Sequence, residues 1–301
     1  MHSRLSSDAR HEGSHRGRKY LELQREARRT GGPTDGMIQL YALECFLDRL
    51  THSEFAQNFV LKGGVLLAAL NARRPTRDID FAARAIDNDA DAVLRLVRQI
   101  AAVSIDDGIE FDRADAKAET IRDEDVYSGV RVTLSGTLSR ATLRLHVDVN
   151  VGDPIWPEPQ NITLPRLLDG VLIVRGYPLE MVLAEKIVTA IARGTASTRW
   201  RDFVDIYTLV QQYPIGGQTL RQSMIRVSRH RDVPLSPLKM TLEGYEEIAQ
   251  ARWLAWLRKQ RLDTAIPNDF ATVLDVVESF TDPLIANNSV QIWNPATLKW
   301  A

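Results

Sequence analysis

The chain has 301 residues, 44% of them hydrophobic and 26% charged, a balance that allows one large globular domain or two smaller ones. One cysteine, Cys45, excludes an intrachain disulfide, and no apolar run reaches membrane-spanning length. The formal net charge of −1 hides an uneven distribution, with 12 acidic and 5 basic residues between Asp87 and Asp125 but 13 basic and 6 acidic between Lys186 and Arg261.

The basic segment suits a polyanion such as RNA and the acidic one a basic partner protein, although both also fit solvated helix faces. At the N-terminus, Met1-His2-Ser3-Arg4 opens no apolar signal segment, so a cytoplasmic protein without membrane contact is expected. Residues 1–18, rich in Ser, His, Arg and Gly, read as a mobile arm, and Tyr20 to Arg29 as a short polar helix stopped by Gly31-Gly32-Pro33. A core-packing helix follows from Met37 to Leu50. Leu40, Leu43, Leu47 and Leu50 form its inner stripe, Glu44, Asp48 and Arg49 lie away from it, and Cys45 serves as a small hydrophobe.

Phe59-Val60-Leu61 predicts a strand that runs through Lys62 into Gly63-Gly64 and a short buried helix, Val65 to Leu70. After a Pro75-Thr76 turn, a second strand covers Ile79 to Ala82, and Asp91 to Val103 is an amphipathic helix. An acidic loop region then leads to a hairpin, in which Gly129 to Leu134 pairs with Leu143 to Val151 around a turn centred on Gly136. In its second strand Leu143, Leu145, Val147, Val149 and Val151 share one face, leaving Arg144, His146, Asp148 and Asn150 on the other. Beyond a Pro-rich connection the pattern becomes helical: Pro178 to Gly194, Arg201 to Tyr213, Thr219 to Ser228, Tyr245 to Arg258 and Phe270 to Ile285. Trp253 and Trp256 fit helix packing better than base stacking.

Two pieces of this chain suggest chemistry. The glycine pair lets backbone N–H groups approach an anion at a helix start, with Lys62 beside it, although a tight turn explains the same pair. Asp78 and Asp80, two apart on a strand, point the same way, and a divalent cation relieves their repulsion, although a solvated face has the same pattern. Asp148 on a neighbouring strand completes a possible set of three carboxylates for two metal ions, as nucleotidyl transfer requires. Arg77 points opposite to Asp78 and suits structural or substrate-edge contacts. Asp202 and Asp205 share a helix face, and Lys186 with Asp202 reads from residues alone as a surface ion pair.

Four motifs in order resemble the AbiEii/AbiGii toxin family of nucleotidyltransferases, including the Men-type toxins that modify tRNA. They are Val60-Leu61-Lys62-Gly63-Gly64 with Thr76-Arg77-Asp78-Ile79-Asp80; Val147-Asp148-Val149-Asn150-Val151-Gly152-Asp153; Leu183-Ala184-Glu185-Lys186; and Arg199-Trp200-Arg201-Asp202-Phe203-Val204-Asp205-Ile206-Tyr207. The resemblance runs from about Tyr20 to about Ile285. It implies a polymerase-β-like α/β core over 37–175, preceded by the basic arm and short helix of 1–36 and followed by a mainly α-helical domain over 176–301. It also implies that Asp78 and Asp80 bind metal, Mg2+ or Mn2+, and that Lys186 and Asp202 are needed for activity, with the lysine neutralising triphosphate charge.

The activity so implied is transfer of NMP from an NTP to the 3′ end of tRNA, blocking aminoacylation, by a monomeric toxin of a toxin–antitoxin pair. In the Men group a partner phosphorylates a hydroxyl matching Thr76, which would set negative charge beside Asp78. Two alternatives stand beside this reading: NMP transfer to a protein side chain, and a nucleotide- or antitoxin-binding module without turnover.

Overall fold

The computed structural model describes residues 15–72, 76–122, 128–286 and 291–301. Residues 1–14 of the expected arm, Pro75 of the expected turn and residues 123–127 of the acidic loop lie outside them. The chain divides into two compact units, Met1–Asp153 with Gln160–Tyr177, and Pro154–Pro159 with Pro178–Ala301.

The first unit is mixed α/β. Its elements in order are α1 (His15–Thr30), α2 (Thr34–Thr51), β1 (Phe59–Lys62), the single turn α3 (Gly63–Leu66), β2 (Asp78–Ala83), α4 (Ala90–Ala101), β3 (Ile109–Arg122), β4 (Ser128–Leu138), β5 (Ala141–Val151), β6 (Gln160–Pro165) and β7 (Val171–Gly176). The seven strands form one sheet in the order β3-β4-β5-β2-β1-β7-β6. Pairing is parallel between β2 and β5 and between β1 and β7, and antiparallel elsewhere. The central strands β1, β2 and β5 bury Leu61, Ile79, Phe81, Val147 and Val149, β1 as a continuous buried run and β5 by alternation.

Several sequence expectations are corrected. Helix α1 starts at His15, so Arg18 is helical and not part of a mobile arm, and Leu23 and Ala27 bury one face of a helix read as polar. Glu44, Asp48 and Arg49 on α2 are buried and not solvated. Arg49 forms a two-pronged ion pair with Asp107 and donates to the carbonyl oxygens of Cys45 and Ile109 at 3.0 and 3.2 Å. Asp48 accepts from Arg166 Nη1 at 2.9 Å, and Glu44 from the Leu167 amide at 2.9 Å. These partners are distant in sequence, so helical spacing alone cannot reveal them. Cys45 is buried as expected, and burial pushes its thiol pKa well up, which keeps it an unreactive hydrophobe.

The acidic loop contains the long strand β3, whose alternation runs from Ile109 to Asp112 and resumes out of phase from Ala114 to Glu119, so that no single period-2 signal spans it. Its register with β4 shifts between Asp112 and Lys117. The hairpin reverses at Ser139-Arg140, with Ser139 at φ +52°, and not at Gly136. Gly136 lies inside β4, where a Cβ would come within 3.0 Å of the Glu110 carbonyl oxygen, so its small size serves close approach and not a turn. The Pro-rich connection holds two further strands, β6 and β7, that the sequence reading passed over.

In the second unit, α5 (Leu179–Arg193), α6 (Trp200–Val210), β8 (Ile215–Gly216), α7 (Gly217–His230), the short α8 (Leu238–Thr241), α9 (Tyr245–Gln260) and α10 (Phe270–Ile285) are followed by β9 (Ile292–Asn294) and β10 (Lys299–Trp300). The unit is thus mainly helical, as expected, with a three-stranded sheet in the order β10-β9-β8 added to it. Pro178 precedes the first turn of α5 and Gly194, at φ +51°, ends it. Trp253 sits in the core, stacked at 5.7 Å on Trp256 and 4.8 Å from Phe270, so helix packing is its role. None of the described helices is long and apolar enough to cross a membrane.

Glu278 on α10 is half-buried near Asp282, Asp275 and Glu246. Burial first, then these carboxylates, pushes its pKa up to about 7. Between its unfolded value of about 4.5 and about 7, the unfolded chain has released this proton while the folded chain retains it. Stability therefore falls as pH rises through that window and levels off above it, as far as this group is concerned. In thermal melts from pH 5 to 8, Glu278→Gln is expected to flatten the decline and to raise Tm at pH 8.

Candidate active site

The polar cluster of the first unit is built on β1, β2 and β5. Strand pleating turns Asp78 and Asp80 to one face of β2 while Ile79 and Phe81 are buried on the other. The parallel register sets Asp80 opposite Asp148 and Asp78 opposite His146 on β5, and the antiparallel register sets Asp80 opposite Lys62 on β1. Asp80 and Asp148 therefore lie side by side on adjacent strands, with Asp78 two residues before Asp80 on the same face and Asp148 itself buried.

Gly63 explains how the Asp80 carboxylate fits there. Its φ is +66°, a conformation costly for any residue with a side chain, and it marks the change from β1 to α3. A Cβ at this position would collide with Oδ2 and Cγ of Asp80 and come within 2.8 Å of the Asp80 Cβ. The carboxylate thus occupies the volume a side chain at position 63 would fill. Gly64 follows within α3 and is buried.

The remaining predicted residues are placed as follows. Lys62 is buried, with its Nζ 2.6 Å from Asp153 Oδ2 and 5.7 Å from the centre of the Tyr177 ring, a contact the sequence reading did not anticipate. Thr76 Oγ1 donates to the Asp78 carbonyl oxygen at 3.2 Å, so its hydroxyl stands immediately before the first carboxylate. Arg77 is exposed, and its carbonyl oxygen accepts from Gln39 Nε2 at 3.4 Å. His146 Nδ1 lies 3.1 Å from the hydroxyl of Thr133, as befits a hydrogen-bonding neighbour.

Asp148 has a partner that sequence reasoning missed. Both of its oxygens are taken by Arg131 on β4, Nε at 2.8 Å and Nη2 at 2.6 Å, a charge-assisted fork that holds the Arg131 pKa above its ordinary value. The signal existed in the hairpin register, but a reversal at Gly136 puts Arg131 near the start of β5 and only the turn at Ser139 brings it opposite Asp148. Among the described residues, no group of three or more His, Cys, Asp or Glu side chains is arranged to hold a metal ion. The donor set that fits a divalent cation is Asp78 with Asp80: two carboxylates on one strand face, hard oxygen ligands of the kind Mg2+ takes. Asp148, as it stands, is a ligand of Arg131.

In the second unit, Lys186 from α5 is clamped between two carboxylates of α6. Its Nζ lies 2.8 Å from Asp202 Oδ1 and 2.7 Å from Asp205 Oδ2, and Arg199 Nε approaches the other oxygen of Asp202 at 3.0 Å. The sequence reading of Lys186 and Asp202 as a surface ion pair is corrected, since the lysine side chain is only 12% exposed and that of Asp205 only 4%. Removing one partner from such a buried pair typically costs about 3–5 kcal/mol. Asp205 is the member of this cluster to which sequence reasoning gave no role, although its three-residue spacing from Asp202 on one helix face was visible.

Compared with known proteins, residues 45–276 match the family model described as Nucleotidyl transferase AbiEii toxin, Type IV TA system. No curated protein matches the chain. Among solved structures, the chain is similar to JHP933 from Helicobacter pylori, at 15% identity and TM-score 0.46, over 81% of this chain and 89% of that one. A second H. pylori structure, titled as a candidate nucleotidyltransferase, matches at 15% identity and TM-score 0.45, over 81% of this chain and 92% of that one.

If the glycine at position 63 exists to house the Asp80 carboxylate, Gly63→Ala should displace that carboxylate as well as strain the backbone. Gly170, at φ +83° with open space where a Cβ would go, provides the control. Gly170→Ala is expected to lose about 1 kcal/mol of stability, the ordinary cost of the conformation. Gly63→Ala should lose more than that in urea unfolding and should also lose nucleotidyl transfer by about a hundredfold or more.

Proposed function

The chain belongs to the AbiEii nucleotidyl transferase toxin family, and from that premise we propose that it transfers NMP from an NTP to the 3′ end of tRNA as the toxin of a toxin–antitoxin pair. The observation that supports this reading is the seating of Asp80 over Gly63, with Asp78 on the same strand face and Asp148 in register beside it. A glycine that admits a carboxylate at a strand-to-helix junction brings backbone donors and acidic groups together, and polyphosphate transfer needs both.

In this reading Asp78 and Asp80 would hold a divalent cation, Mg2+ or Mn2+, which when bound would neutralise charge on the phosphoryl oxygens and lower the pKa of the attacking hydroxyl. The 3′-oxygen of the RNA bonds to the α-phosphorus, the bond to the departing pyrophosphate breaks, and the hydroxyl proton passes to solvent. Gly63 and Gly64 present backbone amides to the phosphates. Lys62, fixed by Asp153 and the Tyr177 ring, contributes a positive charge on the same strand pair as Asp80. The family resemblance implies that Lys186 and Asp202, in the second unit, are required as well. The basic excess between Lys186 and Arg261 suits the RNA backbone, and nucleotides added to the acceptor end would block aminoacylation. Phosphate placed by an antitoxin kinase on the Thr76 hydroxyl, which bonds to the Asp78 carbonyl, would put negative charge beside the first carboxylate and silence the site.

The test is incubation of the purified chain with each labelled NTP in turn, with tRNA and, separately, with protein. Label is expected at the tRNA 3′ end, and Asp80→Asn should abolish it while leaving circular dichroism and Tm near those of the parent. Label on protein alone would replace tRNA with a protein acceptor. Label on neither, across metals and nucleotides, would leave a binding module without turnover.

A further inference from the structure

Arg131 is given a ligand-binding role by no comparison and no sequence motif, yet it lies within the candidate site. It sits on β4 opposite Asp148, which is itself opposite Asp80 on β2, so Arg131 and Asp80 are separated by two strand spacings, about 10 Å between backbones. The guanidinium closes part of that distance by leaning onto Asp148. Its side chain remains 32% exposed, whereas that of Asp148 is 10% exposed. The interior carboxylate therefore grips the arginine from below and leaves its outer edge accessible.

A guanidinium has five N–H donors, and the two bonds to Asp148 use Nε and one position on Nη2. Among the described residues, Nη1 has no hydrogen-bond partner. Asp78 and Glu119 also act on Arg131 electrostatically, both favouring its charged form. The result is a planar cation, fixed by a buried anion, whose free edge lies on the polar face that carries Asp78 and Asp80. Arginine in this arrangement suits tetrahedral oxyanions, because its planar fork matches two oxygens at once and its orienting entropy has already been spent.

We propose that Arg131 is a phosphate-binding residue of the site, held in position by Asp148, and that Asp148 acts chiefly as its anchor. The ligand class is a phosphate group, either of the nucleoside triphosphate or of the RNA backbone. This inference rests on the nucleotidyl-transfer reading for its setting but not for its test, which reads binding without turnover.

The experiment measures the Kd of an NTP with a non-hydrolysable α,β-bridge, in Mg2+, and separately the Kd of tRNA as a function of salt, for the full chain and four variants. Arg131→Gln is expected to weaken one of the two by about tenfold or more, the worth of a charge-assisted hydrogen bond, and Arg131→Lys to fall between. Loss for the nucleotide assigns the phosphate to the NTP; loss for tRNA with a salt slope reduced by about one assigns it to the RNA backbone. Because Arg131→Gln leaves a buried carboxylate unpaired, Arg131→Gln combined with Asp148→Asn serves as the folding control. That double variant removes both charges together and should melt near the parent while binding as weakly as Arg131→Gln. Parent-like Kd values for both ligands in the well-folded double variant would overturn the proposal. So would an Asp148→Asn variant that keeps parent-like binding of both ligands while the metal concentration needed for half-maximal activity rises. If no transfer activity is found at all, the binding measurements still decide the role of Arg131.

Discussion

The candidate site depends on a missing side chain. Position 63 must be glycine for two separate reasons that coincide: its backbone is left-handed, and the Asp80 carboxylate fills the space where a Cβ belongs. Either reason alone would disfavour other residues; together they tie the end of β1 to the second acidic residue of β2. Once that contact is fixed, the strand registers follow. Lys62 falls opposite Asp80, Asp80 opposite Asp148, and Asp148 opposite Arg131, so one polar row crosses four neighbouring strands. The apolar residues between them, Leu61, Ile79, Phe81, Val147 and Val149, hold the row flat by burying the other side of the sheet.

Charged groups in this chain are organised by partners far away in sequence. Arg49 reaches Asp107, Arg166 reaches Asp48, Lys62 reaches Asp153, and Lys186 lies between Asp202 and Asp205. Each of these pairs is buried or nearly so. Removing a single member leaves its counterpart desolvated and unpaired, which is more costly than the pair is worth. The candidate site therefore stands on a scaffold in which polar groups, as well as apolar ones, must find their native neighbours.

That organisation explains what could be read from the sequence. The alternation in Leu143 to Val151 and the D-x-D of β2 are local signals, and both gave the correct face for each residue. The helix Phe270 to Ile285 was legible to its last residue, because apolar periodicity and an Asp269 cap are also local. Strand β3 was not legible, since its two alternating runs are out of phase and only pairing with β4 across the register shift joins them. The burial of Glu44, Asp48 and Arg49 was hidden for the same reason: helical spacing marks them as outward, and their partners lie on other elements. Arg131 needed the correct hairpin turn, and the glycine that drew the turn to position 136 is small for a different purpose. Asp78, Asp80 and Asp148 were found by pattern, whereas the pairing of Asp148 with Arg131 and of Lys62 with Asp153 could only come from the strand register and the fold.

Strand β3 has a consequence for how copies of this chain behave toward one another. It is one of the two edge strands of the seven, fourteen residues long, and such a margin is a template on which a strand from a second molecule can add. Four acidic residues, Glu110, Asp112, Asp115 and Glu119, alternate with the three basic residues Arg113, Lys117 and Arg122 along it, and the register break between Asp112 and Lys117 interrupts a continuous ladder. Two such margins brought together could not zip without interruption past that break. The charged side chains and the register break that this strand carries thus work against edge-to-edge self-assembly along it.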